Sequence, residues 1–373
     1  MDSAIERIEL LLVDLPPPVP RSDAIQSFVV QETPIVRITC ADGSEGTGYA
    51  YTIGTGGSSV MALLRDHLAP RLLGRDATQI EAIWRDLLFS THATSVGALT
   101  SLALAAVDTA LWDLRCRRAG LPLWRAAGGA QASIPVYTTE GGWLHHDADT
   151  LVRETVAARD AGFLGAKIKV GKPRLADDVA RLRAVREAVG DGFELMVDAN
   201  QCFALGEALR RAPRFAELGI AWFEEPLPAD DLAGHAALAA QAALPIAVGE
   251  SLYSIGRFGD YLRARACHVV QVDVARVGGI TPWLKVAHLA EACDLVVAPH
   301  FLMELHVSLC AAVPNAAWLE YIPQLDAIAE SRVRIEGGRA TPPETPGLGI
   351  EWDRDAVAAR AKARFDISRK DIA

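Results

Sequence analysis

The stretch "GAKIKVGK", Gly165–Lys172, decides how the chain is read. It has the small and β-branched residues of an interior strand, yet Lys167 and Lys169 flank Ile168. Side chains alternate along a strand, so residues two apart share a face. Both ammonium groups then point one way, and Ile168 and Val170 the other. On a surface strand the lysines would simply be solvated. On a strand of a closed barrel they converge on something anionic.

The sequence on either side favours the barrel. From about Ser133 onward, a short apolar run alternates with an amphipathic helical stretch. The runs are "SIPVYTT", "GAKIKVG", "FELMVDAN", "AWFEEPL", "LPIAVGES", "VVQVDVAR", "LVVAPH" and "AAWLEY". Between them lie segments such as "DDVARLRAVREAVG", with leucine, valine and alanine at helical spacing. Strands alternating with helices predict a parallel sheet. Eight such units predict an α/β fold, a (β/α)8-type or modified TIM barrel, over residues 126–345. An open doubly wound sheet is the alternative, but no glycine-rich phosphate fingerprint follows the first strand. Residues 1–125 read as an N-terminal α+β capping domain. Its strand-like runs are 5–13, 28–40 and 46–52, followed by helices from about Val60 to Leu73 and from Gln79 to Gly120. Two of its stretches read as loops, "LPPPVPRSD" (Leu15–Asp23) and "IGTGGSS" (Ile53–Ser59). Residues 346–373 are expected to pack back on this domain.

Composition excludes several functions. The 373 residues are half hydrophobic, enough for a large core and two domains. The net charge is −10 with no long basic run, which argues against a nucleic-acid partner. The most apolar stretch, Ala98–Trp112, is broken by Asp108 and is too short to span a membrane. The leading "MDSAIERIELLLVDL" has no basic leader or small-residue cleavage site and does not read as a signal peptide. Six scattered cysteines form no CxxC, as expected of reduced thiols in a cytoplasmic protein.

In barrel enzymes the chemistry sits at the C-terminal ends of the strands. Here those ends read Lys167 and Lys169, Asp198 and Asn200, Glu224 and Glu225, Glu250, Asp273, His300 and Glu320. Buried charges cost several kcal/mol each unless paired or metal-bound, so such a ring must neutralise itself. Asp198, Glu224 and Glu250 recur at intervals of 26 residues on three neighbouring strands. Three carboxylates without cysteine or histidine make a hard-oxygen site suited to Mg²⁺. For any one of them, helix capping or a salt bridge is the competing reading. Glu225, next to Glu224 in a strand, should face away. Asp273 and His300 fall on adjacent strands, and a carboxylate beside an imidazole fixes its tautomer and raises its basicity. One lysine can hold a substrate carboxylate. The other can lose its proton if burial and the neighbouring cation lower its pKa. Lys169 and His300 then bracket an acidic α-carbon, with Lys167 and the metal stabilising the enediolate. His145 and His146, in "GGWLHHD", are either substrate contacts or exposed loop histidines. Met303 and His306 read as part of a packing helix.

Together, "KIK", "VDAN", "WFEEP", "VGES", "QVDVARVGGI", "PH" and "WLE" resemble the enolase superfamily, and within it the mandelate racemase subgroup, over the whole chain including the "PGLGIEW" tail. The resemblance implies Asp198, Glu224 and Glu250 as metal ligands and Lys169 as one acid/base, with the Asp273–His300 dyad as the other. It implies Lys167 and Glu320 on the substrate carboxylate and Asn200 on a hydroxyl. Muconate-lactonising and dipeptide-epimerising relatives carry a lysine on strand six, and Val269–Arg276 contains none. "GGWLHH", "KVGKP", "VDANQ" and "PHFLMELH" most resemble acid-sugar dehydratases of the talarate/galactarate type, with Trp143 and His145 as further substrate contacts. The function this implies is Mg²⁺-dependent dehydration of a sugar acid to a 2-keto-3-deoxy acid, with the two capping loops setting specificity. A small carboxylate substrate and a homo-oligomeric assembly are expected. The alternatives are a racemase or epimerase using the same two bases, and a non-catalytic barrel.

Overall fold

In the computed structural model, which describes residues 3–28, 30–94 and 97–371, each of the eight runs forms a barrel strand. They are Ile134–Thr138, Gly165–Lys169, Glu194–Asp198, Ile220–Glu224, Ile246–Val248, Val269–Val270, Val296–Val297 and Leu319–Tyr321. Neighbours pair in parallel and in sequence order from the first strand to the seventh. The eighth pairs with the first, and a bridge from Val297 to Ala316 closes the ring. The sixth and seventh strands are only two residues long, because the chain turns inward soon after to present its polar ends.

The β-branched face of each strand packs outward on helices. Ile168, Val170, Leu195 and Val197 are fully buried there. The inner face carries a separate apolar plug built from Tyr137, Met196, Trp222, Ala247, Val269 and Ala298, with Trp318 against it. Tyr137 meets the edges of Trp222 and Trp318 at 5.4 and 6.3 Å. Large aromatic rings fill the lower barrel, which leaves polar chemistry only above them.

The cap is an antiparallel sheet ordered Ala361–Ser368, Ile5–Leu15, Gln31–Cys40, Glu45–Tyr49, packed on helix Ala98–Ala119. The single helical run expected from Gln79 to Gly120 is two helices, Ile80–Ser90 and Ala98–Ala119. Between them Gly97 adopts φ 85°, which only glycine does without strain. The glycine loop is also shorter than expected, since helix Gly57–Leu63 begins inside it. Cap and barrel are joined by buried bonds. Asp108 Oδ2 accepts from the N–H of Thr281 at 2.9 Å, and Trp112 Nε1 donates to Thr281 Oγ1 at 3.0 Å. Among the described residues no helix is long and apolar enough to cross a membrane.

Candidate active site

The polar layer follows from strand alternation. Two residues after each plug residue comes a side chain on the same face: Tyr137 precedes Thr139, Met196 Asp198, Trp222 Glu224, Val269 Gln271, Ala298 His300, and Trp318 Glu320. Glu250 breaks this rhythm, because it lies three after Ala247. The fifth strand ends at Val248, and Gly249 then turns at φ 155° with no room for a Cβ against the backbone of Gln271. That turn brings Glu250 back over the barrel.

Asp198, Glu224 and Glu250 are buried and each offers an oxygen within 4.8 Å of the others. Glu224 sits between two sets of donors. Its Oε1 accepts from Lys167 Nζ at 2.7 Å, and its Oε2 from Gln271 Nε2 at 2.6 Å and Trp222 Nε1 at 3.2 Å. Burial, and next the charge of Asp198, push its carboxyl up to about 8. Glu250 Oε2 is buried with no hydrogen bond. Crowded carboxylate oxygens, one of them without a hydrogen bond, are the pattern that a hard divalent cation relieves, and among the described residues the cluster includes no cysteine or histidine. Glu225 is outside this trio, as expected. It is buried near Ser251, with φ 38°.

Lys167 is tied to Glu320 Oε1 at 2.9 Å as well as to Glu224. Glu320 in turn accepts from Thr139 Oγ1 at 2.5 Å and from the N–H of Phe301 at 2.7 Å. Lys169 Nζ lies 2.5 Å from Asp198 Oδ2. Burial lowers both lysine pKa values, but the carboxylates outweigh it and hold both groups above the ordinary value. The expected depression of a lysine is therefore reversed here: the attraction of the neighbouring acids outweighs burial and the other ammonium.

On the opposite side, His300 Nδ1 meets Asp273 Oδ2 at 2.9 Å, and its Nε2 lies 3.3 Å from Glu250 Oε2. Burial disfavours charge on both partners. The bond to His300 nonetheless holds Asp273 down at about 2, while Glu250 and Asp273 raise the imidazole. Asp273 also accepts from Tyr51 OH at 2.7 Å, a residue of the cap, and Tyr51 OH accepts from Arg276 Nε at 2.8 Å. His306 is a packing residue of helix Met303–Ala312. Its ring bridges Phe301 O and the N–H of Val274, and burial lowers it to about 4.

A cleft of about 280 Å³ opens above this layer between barrel and cap, and Lys169, Asn200, Glu250 and His300 all line it. Asn200 donates its N–H to Asp198 Oδ1 at 2.8 Å and has its side-chain oxygen buried without a partner. Lys167 and Glu320 lie below the lining. Trp143 and His145 are not brought into the cleft. The Trp143 ring lies 5.7 Å from Lys169 Nζ, and exposed His145 bonds Ser22 Oγ at 2.7 Å. Sequence reasoning missed Tyr51, Arg276, Gln271, Trp222 and Thr139. Trp222 and Gln271 carried a signal, being two residues from Glu224 and Asp273 on the same strand face.

A capped (β/α)8 barrel with three carboxylates at the ends of strands three to five, between a lysine and a histidine–aspartate pair, defines an enolase-type barrel. The chain belongs to the mandelate racemase / muconate lactonizing enzyme family of the enolase superfamily: that family's N-terminal domain matches residues 7–128, and the enolase C-terminal domain-like family matches residues 150–356. It is 38% identical to the L-talarate/galactarate dehydratase of Salmonella typhimurium, over 94% of this chain and 90% of that one. It is 36% identical to the 3,6-anhydro-alpha-L-galactonate cycloisomerase of Streptomyces coelicolor, over 96% and 99%. The crystal structure of L-talarate dehydratase from Polaromonas sp. JS666, complexed with Mg and L-glucarate, superimposes with a TM-score of 0.93 at 39% identity, covering 98% of this chain and 99% of that one.

Proposed function

We propose that the protein is a Mg²⁺-dependent acid-sugar dehydratase. The observation that carries this reading is that Lys169 bonds Asp198 and His300 Nε2 lies 3.3 Å from Glu250, the two outer members of the carboxylate row, and that both groups open on one cleft. Asp198, Glu224 and Glu250 hold the cation. When bound, Mg²⁺ supplies positive charge against the anion that loss of an α-proton creates. Lys167, held by Glu320, orients the reacting carboxylate, and Asn200 takes a hydroxyl. Lys169 is a base only once the pull of Asp198 on its proton is relieved, as by a cation sharing that carboxylate. The α C–H proton passes to one base, the β C–O bond breaks, and the departing hydroxyl takes a proton from the other. With Lys169 as base, protonated His300 is the acid, and Asp273 holds its ring in place. The enol then becomes the 2-keto-3-deoxy acid.

A racemase or epimerase would use the same pair of bases without a leaving group. Incubation with a panel of sugar acids and Mg²⁺ separates the readings. A 2-keto-3-deoxy product is expected, and inversion of a centre with no keto product would overturn the dehydratase. The division at about residues 125 and 345, a cytoplasmic location and a homo-oligomeric assembly belong to the same reading; the six cysteines, all free, support the location.

A further inference from the structure

The two halves of the cleft differ in charge. Every cationic side chain lining it comes from the barrel: Lys169, Arg276 and His300. Each of these already faces a carboxylate, of Asp198, Glu250 or Asp273. Among the described residues, the half supplied by the cap has one carboxyl and no cation; the carboxyl is that of Asp23, whose pKa burial raises while the charge of Lys169 opposes the rise. The remaining polar groups of this half are neutral, namely Gln26, Tyr51, Thr52 and Thr55, with the Tyr51 hydroxyl already bonded to Asp273, set among apolar Phe28, Ile53 and Leu99.

Asp23 is held in place by its own loop. Its Oδ1 accepts the N–H groups of Ile25 and Gln26 at 2.8 and 2.9 Å, and its N–H donates to Gln26 O at 3.1 Å. The residue is 8% exposed. A fixed, largely buried carboxylate is a good acceptor for substrate hydroxyls and a poor neighbour for a second carboxylate. Like charges brought together away from water are strongly disfavoured, and a buried charge without a partner is costly.

We propose that the cleft selects monocarboxylic sugar acids (aldonates) over dicarboxylic ones (aldarates), with the reacting carboxylate on the barrel side and a neutral polyol end against Asp23 of the cap. This rests on the sugar-acid reading above and sets the chain apart from relatives named for talarate and galactarate, acids with a carboxylate at each end.

The test measures equilibrium binding with Mg²⁺ present, by calorimetry, on protein carrying His300→Asn to halt loss of water and otherwise wild type, for aldonate–aldarate pairs of matched configuration, and scores keto product separately with His300 intact. With the rest of the cleft wild type, this protein should bind its best aldonate at least about tenfold more tightly than the matching aldarate. Asp23→Asn keeps an acceptor for the two loop N–H groups and removes the charge, so it should narrow that ratio. Gln26→Arg, at an exposed position, should narrow or invert it by offering a cation to a distal carboxylate. Equal or tighter aldarate binding with the rest of the cleft wild type would overturn the proposal, as would ratios unmoved in both cap variants or no binding of either class. Because the ratio is read without turnover, selective binding with no keto product would sink the dehydratase while leaving the selectivity standing.

Discussion

The Lys169 side of the site and the His300 side present one titratable group each to the same cleft, but they are built differently. Lys169 takes its bonded partner from the adjacent barrel strand, Asp198. His300 is bonded to Asp273, and Asp273 is also bonded to Tyr51 of the cap, whose ring lies 4.7 Å from that of Phe301. One side thus takes its hydrogen bond from the barrel alone, and the other takes bonds from barrel and cap together. Two groups of equal chemical rank can therefore depend differently on the cap.

Four experiments would break or sharpen that contrast. Removal of the cation by exhaustive chelation should silence both sides together, with activity returning on adding Mg²⁺; activity that survives would detach the carboxylate row from the chemistry. Next, Lys169→Met and His300→Asn should each lower dehydration by about 10²–10⁴-fold. They should differ in exchange of the α-proton with D₂O. With Lys169 as base, His300→Asn still exchanges and Lys169→Met does not, and the opposite pattern reverses the roles. Near-normal turnover in both variants would end the two-base mechanism. Tyr51→Phe removes one hydrogen bond to a charged group, so a loss of about tenfold in turnover is expected. That loss should spare exchange that depends on Lys169 alone, and equal damage to both processes would show that the cap serves the two sides alike.

The smallest effect concerns the seam between the domains. Burial raises Asp108 from its ordinary 3.8 to about 7. A carboxyl whose pKa is higher folded than unfolded stabilises the fold fully below the unfolded value, and this stabilisation is lost as pH rises through about 7. Asp108→Asn keeps an acceptor for the Thr281 N–H and abolishes the titration. Between pH 5 and 8 the melting temperature of the wild type should therefore fall relative to that of the variant by a few degrees. Parallel melting curves would mean that Asp108 is ionised throughout.

The barrel was legible because its evidence is local. Each strand announces itself by a short apolar run, and its chemistry by a polar residue at the run's end. The carboxylate row was legible for the same reason, although Glu250 reaches it through a glycine turn rather than by alternation. Tyr51 was not legible. It lies in a strand-like stretch of another domain, more than 200 residues from Asp273, and only the closed fold joins them. The reversed lysine shift was hidden likewise, since it depends on how many carboxylates the fold gathers around each ammonium. Trp143 and His145 lie beside the cleft rather than in its lining, because the loop after the first strand folds against the cap at Ser22.

The cap sheet also has a history in time. Strand Ile5–Leu15 lies between Gln31–Cys40 and Ala361–Ser368, and Arg7 bonds Asp366 across 359 positions of sequence. At about 5–20 residues per second of synthesis, one edge of an apolar strand waits tens of seconds for its partner while the whole barrel is made. An open edge invites pairing with other chains. Arg7 and Glu9, which end up paired with Asp366 and Arg364, place opposite charges on that edge during the wait. The ion pairs that finish the sheet are, in the nascent chain, the guards that keep it from finishing with the wrong neighbour.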